Sequence, residues 1–372
     1  MILEDIALTL TPGLGTKGVV RLLEVFSTSE KIFNASLEEL VHFAELNPSI
    51  AKEVVKRIAF PQAAKEIEHC KRNNITPIAS TDDRFPPLLR QAIDYPHVIY
   101  IMGNIEALQC RSVSIVGTRR LSSYGDRMCN TIVRDLGEKI PDLSIVSGLA
   151  FGVDSAAHRA AIQYGVTTVA VIANALPAIT PTQHTSLAKD IIEHGGAIVS
   201  ECHSQTKYRD SLYVARNRIV AGMSAATIVA ESPLKGGSMI TASIAHSYDR
   251  NVYTVPGRIT DVNSAGCNKL IASNKAQIYL YADQLIRDMM WDCNAASDRP
   301  LVEPLNSNLT IEQQAIVKCF DSADSLTIEN LCERSGCGVS ELSVLLTELE
   351  LEGVVRMLPG NKYELLSVVI SR

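Results

Sequence analysis

The chain has 372 residues, 46% hydrophobic and 20% charged, with a formal net charge of −6. That length allows two or three domains and the composition is that of an ordinary globular protein, which excludes a disordered or fibrous chain. The acidic balance argues against a broad basic face for duplex nucleic acid, and no apolar run approaches the roughly 18 residues a membrane helix needs, so no membrane partner is expected. The nine cysteines lie singly between Cys70 and Cys337, without a CxxC pair. With acids where a signal peptide would carry lysines (Met1-Ile2-Leu3-Glu4-Asp5), they read as reduced thiols of a cytoplasmic protein. Cys332 and Cys337 lack neighbours for a zinc site, so neither a metal nor a cofactor is expected.

Residues 1–65 read as a small helical domain, an apolar helix and a second helix from Gly18 to Phe26 around Thr11-Pro12-Gly13-Leu14-Gly15. This is a helix-hairpin-helix or SAM-like pattern, whose backbone N–H groups can meet a phosphate. Only Lys17 and Arg21 lie close by, so helical packing is the simpler role.

From 66 to 292 strand-like and helix-like runs alternate. Ser112–Val116, Leu143–Val146, Thr167–Ile172, Ala197–Ser200, Thr227–Ala230 and Asn251–Val255 are short, apolar and rich in Val and Ile, and stretches of helical length separate them. Fully apolar strands alternating with helices predict a sheet covered on both faces. The fold expected is α/β, a doubly wound, mostly parallel Rossmann-like sheet. Residues 104–290 carry a net charge of +3, while 308–372 carry −5, so a positive surface belongs to the middle segment if anywhere.

Residues 293–307 are polar and contain Pro300 and Pro304, which predicts a linker. Helical patterns at Thr310–Phe320, Thr327–Arg334 and Ser340–Glu352, a strand at Val354–Leu358, a turn at Pro359–Lys362 and a final strand make 308–372 a winged-helix domain. Its third helix would be the DNA reader. That helix carries glutamates and no Lys or Arg, so protein contact or packing is expected instead.

In an open parallel sheet, ligands bind beyond the carboxyl ends of the strands, where helix N-termini expose unpaired N–H groups. Four segments are expected there. In the first, Gly117 turns the chain tightly, Thr118 offers a hydroxyl and Arg119 a guanidinium fork for phosphate. It is not GxGxxG, which disfavours a dinucleotide. The second, Ser147-Gly148-Leu149-Ala150-Phe151-Gly152, feeds a helix with Asp154 and His158 four apart, either an acid/base pair or a packing pair. The third holds Tyr213, Arg216, Asn217 and Arg218; arginines two apart do not share a helical face, so one can face a ligand and the other the fold. The fourth, Lys235-Gly236-Gly237-Ser238 after Glu231, is an anion nest beside a cation. A row of such subsites, with Phe151 and Tyr213 placed to stack on bases, suits a flexible single strand.

Taken in order, several short motifs resemble the DNA-processing protein A (DprA/Smf) family. They are Phe85-Pro86-Pro87-Leu88-Leu89, Asp94-Tyr95-Pro96, Ile115-Val116-Gly117-Thr118-Arg119, Ser147-Gly148-Leu149-Ala150 with Gly152 and Asp154, Ala157-His158, Ser200-Glu201, Arg216-Asn217-Arg218-Ile219, Gly236-Gly237-Ser238 and Val255-Pro256-Gly257. The match spans roughly 80–285, and a helical N-terminal and a winged-helix C-terminal domain also occur in that family. The resemblance implies a homodimer that binds incoming single-stranded DNA in natural transformation and loads the RecA recombinase onto it, without catalysis. It implies DNA contacts at Gly117, Thr118, Arg119, Ser147, Gly148, Arg216, Asn217, Arg218, Gly236, Gly237 and Ser238; Phe151 and Lys235 join them on the residues alone. Two segments depart from the family pattern: Ala173-Asn174-Ala175-Leu176-Pro177 at one loop, and Tyr213-Val214 where Phe-Pro is usual.

A single-strand binder should lose affinity on Arg119→Ala and on Arg218→Ala. The alternative is a Rossmann-like nucleotide hydrolase of the lysine-decarboxylase-like type, with Glu231 or Glu201 as general base. A protein-interaction scaffold would leave the four rim segments without a purpose.

Overall fold

The alternation of apolar strands and helices is present from residue 76 to 288 of the structure, a computed structural model that describes residues 2–291, 309–320, 325–351, 354–358 and 362–365. Six helices come first: α1 (Ile2–Leu10), α2 (Thr16–Phe26), α3 (Ser29–Asn34), α4 (Leu37–His42), α5 (Pro48–Val55) and α6 (Phe60–Arg72). β1 (Thr76–Ala79), α7 (Pro87–Arg90) and β2 (Val98–Gly103) follow. The alternating part runs β3 (Arg111–Gly117), α8 (Ser123–Lys139), β4 (Leu143–Ser147), α9 (Val153–Gln163), β5 (Thr167–Val171), α10 (Thr185–Glu193) and β6 (Ala197–Ser200). It continues through α11 (Ser211–Met223), β7 (Ala226–Glu231), α12 (Gly237–Ser247), β8 (Asn251–Thr254), α13 (Ala265–Ala272), β9 (Gln277–Ile278) and α14 (Ala282–Asp288).

These strands form one sheet in the order β1-β2-β6-β5-β4-β3-β7-β8-β9. From β6 to β9 all pairs are parallel, whereas β2 runs antiparallel to both β6 and β1. The β1–β2 pair is an addition to the strands expected from apolar runs. The chain leaves β3 toward β4, β5 and β6, then crosses back to place β7 on β3's other side. That reversal is a topological switch point, and in open sheets of this kind ligands bind beyond the carboxyl ends of the strands on either side of it, here β3 and β7.

Both faces are covered, as the apolar strands require. Ile145 and Ile228 pack with α8, α9 and α14, while their neighbours Val146 and Val229 pack with α11, α12 and α13. Along β2, Val98 and Tyr100 turn toward the N-terminal helices, and Ile99 and Ile101 toward the opposite layer. Each such side chain, fully buried, contributes about 1.5–3 kcal/mol.

The N-terminal helices share this core. α6 runs across the boundary expected at residue 65, and Met1–Trp291 pack as one unit. A buried polar cluster fastens the first helix to the start of β2. Ser29 Oγ donates to Asp5 Oδ1 at 2.7 Å, and His97 lies 3.0 Å from Asp5 Oδ1 and 2.8 Å from Ser80 Oγ. Near the hairpin, Arg21 of α2 pairs with Glu45.

The second unit contains α15 (Ile311–Lys318), β10 (Ser325–Thr327), α16 (Ile328–Ser335), α17 (Val339–Leu351), β11 (Val355–Leu358) and β12 (Lys362–Leu365). Its sheet has the order β10-β12-β11, with every pair antiparallel. Its own small core gathers Ile316 of α15, Leu331 of α16, and Leu342, Leu346 and Leu349 of α17. This is the expected winged helix, with β10 as an added strand. The linker expected at 293–307 and most of the turn at 359–362 lie outside the described residues. Among the described residues, no helix is long and apolar enough to cross a membrane.

Candidate nucleic-acid interface

The segment after β3 is fixed from below. Thr118 N donates to Glu231 O at 2.7 Å, and the Glu231 carboxylate, 1% exposed, accepts from Ser122 N at 2.9 Å and Ser122 Oγ at 2.6 Å. Gly117 is required by this close approach, since a Cβ there would lie 2.3 Å from Val153 Cγ2 and 2.5 Å from Glu231 O. Thr118 is buried and its hydroxyl accepts from Arg120 N. Arg119 is left exposed, with its guanidinium 5.7 Å from the Tyr213 ring centroid.

The segment after β4 is also held from beneath. Ser147 Oγ donates to Ile115 O at 2.6 Å. Gly148 leaves room for a guanidinium: a Cβ there would stand 1.4 Å from Arg216 Nη1. Arg216, 6% exposed, donates to Val171 O at 3.1 Å and lies 4.0 Å from Asp154 Oδ2, which accepts from Ala150 N. Burial pushes the Asp154 carboxyl up, against the pull of Arg216, and burial lowers the Arg216 guanidinium, against the pull of Asp154. Phe151 is exposed, its ring 4.7 Å from that of His184, which donates through Nδ1 to Leu149 O.

Asp154 and His158 do not form an acid/base pair. Thr168 Oγ1 donates to Ile145 O, so it accepts from His158 Nδ1–H at 2.7 Å, and Nε2 keeps the lone pair. Burial drives this histidine down to about 3, so it stays neutral inside the core.

The third segment corrects the expectation of a strand-end loop: Tyr213 to Arg218 lie within α11, well beyond the end of β6. Nor does one arginine face outward. Arg216 runs under Gly148, and Arg218 pairs with Glu201 and donates to Asp94 O, while Tyr248 donates to Asp94. Asn217 Nδ2 reaches Gly237 O at 3.4 Å.

After β7, Ser232 Oγ and the buried Ser238 Oγ lie 2.8 Å apart and fix the turn. Lys235, Gly236 and Gly237 are exposed. Gly236 is the N-cap of the 11-residue α12 and supplies no side-chain cap, so the first amides of that helix are not satisfied by a capping side chain. By contrast, Ser122 caps α8, and the first turn of α9 is engaged by Thr118 O and Ala150 O.

The expected residues therefore divide into two layers. Arg119, Phe151, Lys235, Gly236 and Gly237 form an exposed crest, with Tyr213 and Asn217 half-buried beside it. Thr118, Ser147, Gly148, Arg216 and Ser238 are buried beneath, and Arg218 is tied to Glu201. Both carboxylates on which a hydrolase would call, Glu231 and Glu201, are engaged by these structural partners. Among the described residues, no three His, Cys, Asp or Glu side chains gather as a metal site. Sequence reasoning missed the exposed Lys207, Tyr208 and Arg209, whose only signal is two cations flanking an aromatic residue; Tyr208 meets Tyr213 edge-on at 6.2 Å.

Residues 76–290 match the sequence model of the family described as DNA recombination-mediator protein A. The chain belongs to that family. Residues 301–361 match the DprA winged helix domain. Protein Smf of Escherichia coli K12 is 30% identical over 318 residues, covering 83% of each chain. The X-ray structure of DNA processing protein A from Streptococcus pneumoniae has a TM-score of 0.68 at 29% identity, covering 77% of this chain and 98% of its own. DNA processing protein A from Helicobacter pylori, solved to describe its single-stranded DNA binding mode, has a TM-score of 0.52 at 27% identity and covers 59% and 96%. The second match agrees with the winged-helix fold of the C-terminal unit.

Proposed function

We propose that this protein binds single-stranded DNA along the crest without catalysis and delivers the strand to the RecA recombinase in homologous recombination, including natural transformation. The observation that carries the reading is the N-terminus of α12, without a side-chain cap, preceded by the exposed Lys235 and joined through the Asn217–Gly237 hydrogen bond to α11, whose Tyr213 lies under Arg119. Helix amides and a lysine hold one phosphate, Arg119 holds another, and Phe151 and Tyr213 offer faces to the bases. A narrow crest on an acidic chain favours a flexible strand over a stiff duplex. The Helicobacter pylori relative's single-stranded DNA binding and the family's description as a recombination mediator support the same assignment.

A homodimer is part of this proposal, and exposed Ile278 of the edge strand β9, with exposed Leu280 and Tyr281 just after it, is consistent with it. The test is a titration of single- and double-stranded oligonucleotides across salt concentrations. Preferential single-strand binding with a steep salt slope is expected, and equal affinity for both forms, or a flat slope, overturns the reading. RecA filament assembly on strands coated with a single-strand-binding protein, with and without this chain, tests delivery.

A further inference from the structure

We infer that α6 of the N-terminal helical region is a positioning element for the DNA crest, acting through Glu66. This rests on the single-strand reading above and extends it to a part of the chain that precedes the family match at residue 76.

The buried stripe of α6 is Ala63, Glu66 and Cys70. A carboxylate 3% exposed in that stripe stands where an apolar residue would serve packing, and burying it is unfavourable unless hydrogen bonds satisfy it. Its partners are both on the loop after β6: Glu66 accepts from Ser204 N at 2.8 Å and from Ser204 Oγ. One turn earlier, Gln62 Nε2 donates to Gln205 Oε1 at 3.1 Å. One turn later, His69 Nε2 donates to Leu176 O at 2.9 Å, on the loop after β5. Residues 62, 66 and 69 follow i, i+4, i+7 spacing, so one face of one helix grips two neighbouring rim loops.

The loop held by Glu66 goes on to expose Lys207, Tyr208 and Arg209. Tyr208 packs edge-on against Tyr213, and Tyr213 lies under Arg119. A continuous path thus runs from Glu66 through Ser204, Tyr208 and Tyr213 to the crest. With the grip in place, the loop is ordered before DNA arrives; without it, ordering falls at the moment of binding and weakens affinity.

The experiment measures affinity for a fluorescent oligothymidine, its salt slope and thermal unfolding on the full chain. Glu66→Ala should weaken binding about tenfold and lower the slope by about 1.4, the value for two lost cation–phosphate contacts on a single strand. Lys207→Ala/Arg209→Ala should lower the slope by the same amount, and adding Glu66→Ala to it should weaken binding less than about twofold, because both act through one loop. Glu66→Gln, which can still bond to Ser204, should restore wild-type binding. If Glu66→Ala unfolds, Ser204→Ala, which removes one hydroxyl, must weaken binding on its own. The inference fails if neither single variant changes affinity, if the slope stays at its wild-type value, or if the losses multiply with those of the loop variant. Arg119→Ala separates the two claims. If it binds like wild type, the crest reading falls and this inference with it; if it binds weakly while Glu66→Ala and Ser204→Ala do not, only the role of α6 falls.

Discussion

Arg119 and Arg216 come from two motifs that meet at the same rim, and their surroundings are opposite. Arg119 is exposed over the face of the Tyr213 ring, while Arg216 is sealed under Gly148 beside a buried carboxylate. The same contrast separates Lys235 from Arg218, one open to solvent and the other tied to Glu201. In the function proposed above the crest meets the strand, and the layer beneath gives the crest its shape. A cation in a binding motif therefore has one of two roles, and they are separable: loss from the crest should change affinity alone, and loss from below should change stability first.

The largest test of this contrast is Arg216→Met. Removing one partner of a buried ion pair typically costs about 3–5 kcal/mol, so chemical denaturation should show a loss of that order before any change in affinity is considered. Unaltered stability would put Arg216 on the crest instead. Arg119→Ala should weaken single-strand binding about tenfold, or about 1.4 kcal/mol, with the melting temperature unchanged; a large drop in melting temperature would blur the two layers.

His158 sharpens the picture through pH. It is held down to about 3 in the folded chain by burial, against about 6.5 in an unfolded one. The folded state then binds fewer protons, so the stability it carries is full above about pH 6.5 and drains by up to about 1.4 kcal/mol per unit as pH falls toward 3. His158→Gln should flatten that part of the stability-versus-pH curve relative to wild type, and an equal slope in both proteins would show that the imidazole is not sealed in. The smallest expected effect belongs to Lys235→Ala, which should reduce the salt slope by about 0.7 and weaken binding a few-fold on every sequence alike.

Much of this architecture is legible in the chain itself. Runs such as Thr167–Ile172 and Ala197–Ser200 place apolar residues on both faces, which a covered parallel sheet satisfies. The antiparallel β1–β2 pair was not legible: Thr76–Ala79 contains Pro77, a weak strand signal, and it pairs only because β2 offers an edge. The rim motifs after β3, β4 and β7 were legible, since small and polar residues after an apolar strand are a local pattern, whereas the third segment lies within α11. The division into crest and support was not legible, because Arg216 and Arg218 lie on a helix and their direction is set by Gly148, Val171, Glu201 and Asp94, all outside that helix.

What the sequence alone determined is the local chemistry: strand and helix periods, the glycines that permit close approach, the polar, glycine-bearing rim motifs, and the acidic character of the winged-helix unit's third helix. These depend on residues within a turn or two of each other. Tertiary structure decided which cations face solvent, that Glu231 and Glu201 are committed to Ser122 and Arg218, and that Glu66 of α6 reaches Ser204. Burial and partnership between residues of different elements are properties of the packed sheet, and no local pattern carries them.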